Sequence, residues 1–223
     1  MVKVYIDPSS LPVDAIAGEP ALAHDLLTAQ SLRARFLRSR TTWEPESPDE
    51  SWVQPGFKLR RAAVLIPIVE RPEGLTVLLT LRTDHLTSHA GQIAFPGGRA
   101  EELDSSPIET ALRESEEEIG LHRRHISIVG VLPDYITGSA YRVVPVVGLV
   151  KPPFDLIADP GEVAEIFEVP LAFLMNGMHH QRMSVELPDR AGKRSFYAMP
   201  YERFFIWGAT AGMLRNLFHF LRA

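Results

Sequence analysis

Residues 97–121 read GGRAEELDSSPIETALRESEEEIGL, and this stretch predicts a helix with clear signals at both ends. Ser106 is a favourable N-cap, Pro107 suits the first helical position, and Glu109 three residues after the cap completes a capping box. Gly120 stands where a left-handed C-cap residue is expected. The sequence therefore predicts one helix bounded by Ser106 and Gly120.

Three glutamates of this predicted helix share one face. Glu114, Glu117 and Glu118 stand at positions i, i+3 and i+4, so their carboxylates project from the same side. Like charges at this spacing repel one another and destabilise an isolated helix, so positive charge should compensate them. A divalent cation with oxygen ligands is the economical compensation. A solvated acidic helix face is the alternative interpretation.

The residues around these glutamates resemble the signature of the Nudix hydrolases, G-x5-E-x7-R-E-U-x-E-E-x-G-U, in which U is aliphatic. The matching residues are Arg113, Glu114, Glu117, Glu118, Gly120 and Leu121. Three features depart from the signature: Ser115 occupies an aliphatic position, Asp104 replaces the first glutamate, and the spacer that follows Asp104 has eight residues. The spacing of the three helix glutamates is intact.

A second stretch narrows the resemblance. Residues 78–98 read LLTLRTDHLTSHAGQIAFPGG. They are similar to the signature of the coenzyme A diphosphatase branch of the family, roughly L-L-T-x-R-S-x-x-L-x(4)-G-x-V-x-F-P-G-G, with Thr83 for Ser and Ile93 for Val. This branch also tolerates Asp104, the longer spacer and a small residue after Arg-Glu. The resemblance covers about residues 58–223.

The pattern of apolar residues predicts many strands, one long internal helix and an amphipathic C-terminal helix. This combination indicates an α/β (α+β) protein with a mixed sheet between helices, and the resemblance implies the Nudix α/β/α sandwich. Residues 58–223 are expected to form this domain. Residues 1–57 are expected to form an N-terminal extension that packs on the domain or covers its pocket. Within the extension we expect an irregular arm over 1–20, an amphipathic helix over 21–39 and a linker over 41–57.

Composition limits the classes of function. The chain has 223 residues, a net charge of −5 and a pI near 5.9, which gives no general attraction to nucleic acid or to an anionic membrane. A polyanionic substrate would therefore need cations or a few placed arginines near the site. The absence of cysteine excludes disulfides, thiolate zinc sites and a cysteine nucleophile. Without a signal peptide or a transmembrane run, the expected location is cytoplasmic.

The resemblance implies metal-dependent hydrolysis of a diphosphate bridge in a small-molecule substrate, coenzyme A or a related nucleoside diphosphate derivative. Mg²⁺ or Mn²⁺ held by carboxylates would supply the charge neutralisation that this reaction needs. Glu114 and Glu118 are the expected direct ligands. Glu117 is expected to be a ligand or to act through a water molecule, and Arg113 is expected to orient a carboxylate.

Residues outside the helix are predicted to contact substrate. Gly97 and Gly98 let the backbone approach a phosphate, although a simple turn explains them as well. Arg82 is predicted to contact a phosphate or adenine, with a strand-end salt bridge as its alternative. The general base is either a helix glutamate or one of Glu162 and Glu165 from a later loop. Glu162 and Glu165 could equally be ordinary acidic residues of the surface.

Two other functions compete with a coenzyme A diphosphatase. One is a Nudix hydrolase of a different nucleoside diphosphate derivative, such as a dinucleotide or a nucleotide sugar. The other is a non-catalytic Nudix-like binding module, which would be expected to have lost one of the metal carboxylates. The apolar stripe from Trp207 to Phe220 predicts either core packing or the face of a homodimer.

Overall fold

The computed structural model describes residues 7–38, 43–46, 58–86, 89–186 and 193–223. The α-helices are α1 (Ala29–Leu37), α2 (Pro107–Ile119), α3 (Leu171–Leu174) and α4 (Gly208–Arg222). The strands are β1 (Val13–Ile16), β2 (Arg60–Arg71), β3 (Gly74–Arg82), β4 (Ile93–Ala94), β5 (Gly97–Arg99), β6 (Ile126–Val131), β7 (Tyr135–Ile136), β8 (Tyr141–Val150), β9 (Val163–Pro170), β10 (Gln181–Glu186), β11 (Lys193–Tyr201) and β12 (Phe204–Trp207). None of the helices described is long and apolar enough to cross a membrane.

The main sheet is mixed, as predicted. Its central path runs β4-β3-β2-β8-β6, while β5 also pairs with β2, β7 with β8, and β9 with β3. Strands β2 and β8 run parallel from the Arg60–Tyr141 pair to the Val69–Val150 pair, and the other pairings are antiparallel. The glutamate helix α2 connects β5 to β6 and lies over β2, β5 and β8.

The two faces of the main sheet bury two separate apolar clusters, because alternate residues of a strand point to opposite faces. The cluster under α2 includes Ala63, Leu65, Val69, Leu78, Ala111, Ile119 and Val146. The cluster on the opposite face includes Ala62, Ile66, Ile68, Val77, Leu79, Val147, Leu214, Leu217 and Phe218. The last three residues belong to α4, so the sheet lies between α2 and α4. The predicted α/β/α order is therefore confirmed, and the apolar stripe of α4 is core packing.

A second sheet, with the order β1-β10-β11-β12, was not foreseen as a separate layer. The prediction of an irregular arm over residues 1–20 is wrong at β1, whose Val13 and Ile16 pair with Met183 and Gln181 of β10. Four residues between prolines carry little strand signal, so the pairing with a distant strand determines the conformation. The stretches SVELPDR and RSFYAMPYE also predict a hairpin with its turn over residues 189–192. The turn lies outside the described residues, and the flanking strands β10 and β11 form and pair as predicted.

The predicted N-terminal helix is shorter than expected. It begins at Ala29 instead of residue 21, because the Thr28 side chain accepts a hydrogen bond from the Ser31 amide at 3.1 Å and caps the helix there. Its Phe36 ring packs against Phe220 of α4, with ring centroids 4.3 Å apart. Residues 24–26 form only a short 3₁₀ turn.

The described part of the predicted extension is anchored to α4 by polar contacts. Glu19 accepts hydrogen bonds from Arg215, one of them at 2.9 Å from Nη1, and the Arg215 side chain is only 5% exposed. The Glu46 amide donates to Asn216 Oδ1 at 2.7 Å, and Asn216 Nδ2 donates back to the Glu46 carbonyl at 3.1 Å. These contacts agree with the expectation that the extension packs on the domain.

Candidate active site

Helix α2 has the ends that its sequence predicts. Ser106 Oγ accepts a hydrogen bond from the Glu109 amide at 3.2 Å, and Gly120 adopts the left-handed conformation with φ 67°. The capping box is one-sided, since the Glu109 carboxylate accepts from Arg123 at 2.9 Å. Both ends of the helix are thus fixed, and this determines which face of the helix carries Glu114, Glu117 and Glu118.

Gly97 and Gly98 allow β5 to lie directly against β2 and α2. Gly97 has φ 154°, and a Cβ atom there would lie 2.5 Å from the Ala63 carbonyl oxygen. A Cβ atom on Gly98 would lie 2.6 Å from both carboxylate oxygens of Glu114. Since real Cβ atoms do not come so close to other atoms, Gly97 is required by the backbone opposite it, whereas a side chain at position 98 would displace the Glu114 carboxylate.

Glu118 is the buried carboxylate of the site. Its side chain is 3% exposed and accepts a hydrogen bond from the Gly97 amide at 3.1 Å. Arg82 Nη1 lies 3.4 Å from its Oε1. The pKa of Glu118 is raised to about 7, mainly by burial and also by the charges of Glu162 and Glu114, against the opposing effects of the Gly97 amide and Arg82. The Gly97 amide and Arg82 therefore do not fully compensate the cost of a negative charge on Glu118 at this buried position.

Arg82 joins the helix glutamates to the loop before β9. At the end of β3 it reaches Glu118 with Nη1 and Glu162 Oε2 with Nη2, both at 3.4 Å. The loop is docked on α2, because the Asp159 amide donates to the Glu118 carbonyl at 2.8 Å. Thus Glu162 is brought to the site, while Glu165, the other base candidate, is paired with Arg203.

Arg113 forms an ion pair with Asp104, the residue that replaces the first glutamate of the signature. Arg113 Nε and Nη2 each lie 3.0 Å from a carboxylate oxygen of Asp104. Asp104 also accepts from the Glu101 amide and the Thr110 hydroxyl, each at 2.9 Å. The Arg113 guanidinium and these donors hold the pKa of Asp104 well below its usual range.

The fixed guanidinium of Arg113 in turn contacts two of the three helix glutamates. Its Nη1 lies 3.0 Å from Glu114 Oε1 and 2.8 Å from Glu117 Oε2. Glu117 is 58% exposed and turned toward Arg113, whereas Glu114 lies against Gly98. The three carboxylates of one helical face are therefore not equivalent, which their spacing alone does not indicate.

The Asp104–Arg113 pair gives a prediction on stability. Asp104→Asn is expected to lower the free energy of unfolding at pH 7 by about 1–3 kcal/mol, because Arg113 loses its charged partner. Since the pKa of Asp104 is depressed from 3.8 in the folded state, the wild-type advantage is complete above pH about 4 and declines as the pH falls below it. Urea unfolding at pH 7 and at pH 3 measures both effects. An unchanged or larger difference at pH 3 would contradict this linkage.

A cleft of about 840 Å³ opens between the end of the main sheet and the second sheet. One end of the cleft is formed by Gly97, Gly98 and Arg82, and the carboxylates of Glu114 and Glu118 lie directly behind this end. The basic residues that line the cleft are Arg82, Arg99, Arg182, Lys193 and Arg194. Glu46 is the one carboxylate among the described lining residues. The cations of β10 and β11 are far from both motifs along the chain, so the local sequence does not indicate that they line this cleft.

A model of the NUDIX domain matches residues 59–188. The chain belongs to the Nudix family. It is 44% identical over 160 residues to an uncharacterized Nudix hydrolase, NudL, of Escherichia coli strain K12, a similarity that covers 71% of this chain and 81% of NudL. The family prediction is therefore confirmed, and the chain is a Nudix hydrolase. Members of this family generally use divalent metal ions and act on small-molecule substrates.

Two solved Nudix structures are also similar to the chain. A MutT/nudix family protein from Enterococcus faecalis has a TM-score of 0.45 at 15% identity, over 85% of this chain and 73% of that protein. The NUDIX domain of Shewanella oneidensis NrtR, solved as a complex with ADP ribose, has a TM-score of 0.41 at 19% identity, over 62% of this chain and 83% of that domain.

The donor set of this Nudix hydrolase suits a divalent cation with oxygen ligands. Glu118 and Glu114 are carboxylates whose pKa values burial raises, and the charge of Glu162 acts on both. Across the described ranges, no three carboxylate or imidazole side chains stand close enough to form a complete metal site by themselves. Mg²⁺ does not need such a cage, since it keeps several waters and is commonly held by one or two carboxylates and substrate phosphates.

Proposed function

We propose that this Nudix hydrolase cleaves the diphosphate bridge of coenzyme A or its thioesters, giving 4′-phosphopantetheine or its acyl form and adenosine 3′,5′-bisphosphate. The observation that carries the proposal is the contact between the two signature stretches. The coenzyme A-type stretch supplies Arg82, Gly97 and Gly98, which contact Glu118 and Glu114 of the glutamate helix. The coenzyme A-type stretch, residues 78–98, therefore lies next to the same carboxylates that would hold the metal.

The cleft supports a substrate of this size and charge. About 840 Å³ is within the range of cavities that hold cofactor-sized ligands. Five basic residues line the cleft of a chain whose net charge is −5. This local positive charge compensates for the general repulsion between an acidic protein and a substrate with several phosphates.

Glu114 and Glu118 are the proposed direct ligands of Mg²⁺ or Mn²⁺, with Glu117 a ligand or acting through a water molecule. The cation would supply charge neutralisation at the diphosphate and a more acidic nucleophilic water. Arg113 positions Glu114 and Glu117, because its guanidinium contacts both and is itself fixed by Asp104. Gly97 and Gly98 place their backbone beside these carboxylates at the end of the cleft, where it is proposed to approach a substrate phosphate.

Glu162 is the proposed base that takes the proton of the attacking water. Its side chain is 48% exposed, and its Oε2 is engaged by Arg82 Nη2 at 3.4 Å, which leaves Oε1 to accept the proton. Arg82 is proposed to transfer part of its contact from Glu118 and Glu162 to a substrate phosphate, because its fork binds phosphate and carboxylate oxygens in the same way. Glu117 is the alternative base.

The remaining predictions concern the whole protein. We propose that residues 58–223 form the catalytic domain, that residues 1–57 are its extension, and that the protein is cytoplasmic. A homodimer stays a prediction without support from the Trp207–Phe220 stripe, because its large apolar residues on α4 are buried in the core and Trp207 lines the cleft.

Product analysis tests the proposed function. Incubation with coenzyme A and Mg²⁺ is expected to release adenosine 3′,5′-bisphosphate and 4′-phosphopantetheine, and omission of the metal in the presence of a chelator is the control. A dinucleotide and a nucleotide sugar are assayed in parallel. Cleavage of either in place of coenzyme A would overturn the substrate assignment while leaving the diphosphatase chemistry. No metal-dependent cleavage of any of them would favour a binding module.

A further inference from the structure

Arg194 of β11 is a partly buried arginine at the far end of the cleft from the glutamates. Its neighbour Lys193 is paired with Asp14 at 3.2 Å. Among the described residues no carboxylate lies within salt-bridge distance of the Arg194 guanidinium. Such a guanidinium is partly removed from water and has no anionic partner, so its N–H donors can bind an anionic ligand.

The loop after β7 lies directly against this guanidinium. A Cβ atom on Gly138 would collide with Arg194 Nη2, so glycine is what allows the arginine to lie against the loop. Thr137 and Ser139 flank this glycine, line the same cleft and hold their hydroxyl oxygens 3.0 Å apart. The far end of the cleft thus combines a cation with a pair of hydrogen-bonded hydroxyl groups that keeps one O–H hydrogen free, and these donors suit a phosphate.

The strands that form the floor of the cleft separate the Arg194 end from the glutamate end, where the diphosphate bridge would be cleaved. Along one row of the main sheet, Arg99 of β5 lies opposite Ala62, Ala62 opposite Val143, and Val143 opposite Tyr135 of β7. Three inter-strand steps span about 14 Å. The two phosphates of a diphosphate bridge are directly linked and cannot occupy both ends of such a floor. An anion at the far end must therefore be a separate group of the substrate.

We propose that Arg194, assisted by the hydroxyls of Thr137 and Ser139, binds a phosphate of the substrate that is not part of the scissile bridge. The substrate class is then a nucleoside 3′-phosphate 5′-diphosphate, and the bound group is its 3′-phosphate. This inference rests on the proposed function, since it specifies which half of coenzyme A the cleft recognises. It also gives the second sheet a role in specificity.

Nucleotide binding tests this subsite without turnover. Calorimetry on the full chain is expected to show adenosine 3′,5′-bisphosphate binding about 10- to 100-fold more tightly than AMP, the size of one charge-assisted contact. Arg194→Gln should remove most of this difference, and Arg194→Lys should restore part of it. The matched control is Arg142→Gln, because Arg142 is exposed, pairs with Asp134 and lies outside the cleft lining. Equal affinity of the wild type for both nucleotides, or an unchanged ratio in Arg194→Gln, would overturn the subsite.

Kinetics on two substrates separates this inference from the proposed function. The ratio of kcat/KM for coenzyme A to that for 3′-dephospho-coenzyme A is expected to exceed one in the wild type and to fall toward one in Arg194→Gln. If coenzyme A is cleaved and the ratio does not change, the function stands and the subsite is wrong. If coenzyme A is not cleaved but Arg194→Gln still abolishes the preference for the bisphosphate, the subsite stands and the proposed function is wrong.

Discussion

Glu118→Gln is expected to lower the rate of diphosphate hydrolysis by on the order of 1,000-fold while leaving the fold intact, because several kcal/mol of charge stabilisation depend on the cation at this carboxylate. Glutamine keeps the shape of the side chain and can still accept the hydrogen bond from the Gly97 amide. What it removes is the charge of the buried carboxylate. Steady-state assays with saturating Mg²⁺ measure the effect.

Unfolding measurements distinguish this loss from misfolding. Burial raises the pKa of Glu118 from 4.5 to about 7, so the metal-free wild type loses stability as the pH rises through this interval, and the variant does not. With chelator present, Glu118→Gln is therefore expected to melt at an equal or higher temperature than the wild type at pH 8. Glu116→Gln is the matched control, because Glu116 pairs with Arg123 on another side of the helix. Comparable losses of activity in both variants would argue against a specific role of Glu118.

Gly98→Ala is expected to lower kcat by about 100-fold with little loss of stability. The new Cβ atom would lie 2.6 Å from the Glu114 carboxylate, which is the mobile end of a side chain and can rotate away. The protein would then accommodate the methyl group by displacing one proposed metal ligand, and misplacement by about 1 Å can cost a factor of this size. Activity at a series of Mg²⁺ concentrations, together with urea unfolding, checks both parts.

Gly97→Ala provides the contrast to this prediction. There the new Cβ atom would lie 2.5 Å from the Ala63 carbonyl oxygen and from the Val64 Cα atom, and the residue has φ 154°. Since backbone atoms cannot rotate away, we expect a loss of about 3 kcal/mol or more in the free energy of unfolding. If Gly98→Ala proves as destabilising as Gly97→Ala, the activity loss of Gly98→Ala cannot be assigned to Glu114.

The sequence predicted the glutamate helix well because its signals are local. Ser106, Pro107 and Gly120 determine its ends through contacts within a few residues, and the structure has the same ends. For Gly97 and Gly98 the pattern predicted a tight turn or a backbone that approaches a phosphate. It did not reveal that the group at Gly98 is the Glu114 carboxylate, because this contact depends on how α2 packs against β5.

The features that the sequence did not reveal depend on contacts between distant residues. Strand β1 forms through pairing with β10, more than 160 residues later, and the prediction of an irregular arm was wrong for this reason. Nothing near Arg194 in the sequence indicates that it lines the cleft or lies against Gly138. Glu114 and Glu117 likewise differ because Glu114 lies against Gly98 of β5 while Glu117 is exposed, and the distance between β5 and α2 is not written in the local sequence.

Because the cleft lies between two sheets, the residues that recognise the substrate and the proposed metal ligands belong to different parts of the fold. The carboxylates belong to a helix on one face of the main sheet, whereas the far wall of the cleft is the β10–β11 hairpin of the other sheet. Substitutions on this hairpin alter the shape and charge of the wall without touching α2 or β5. Substrate preference can therefore drift, or be engineered, while the hydrolytic machinery is inherited unchanged.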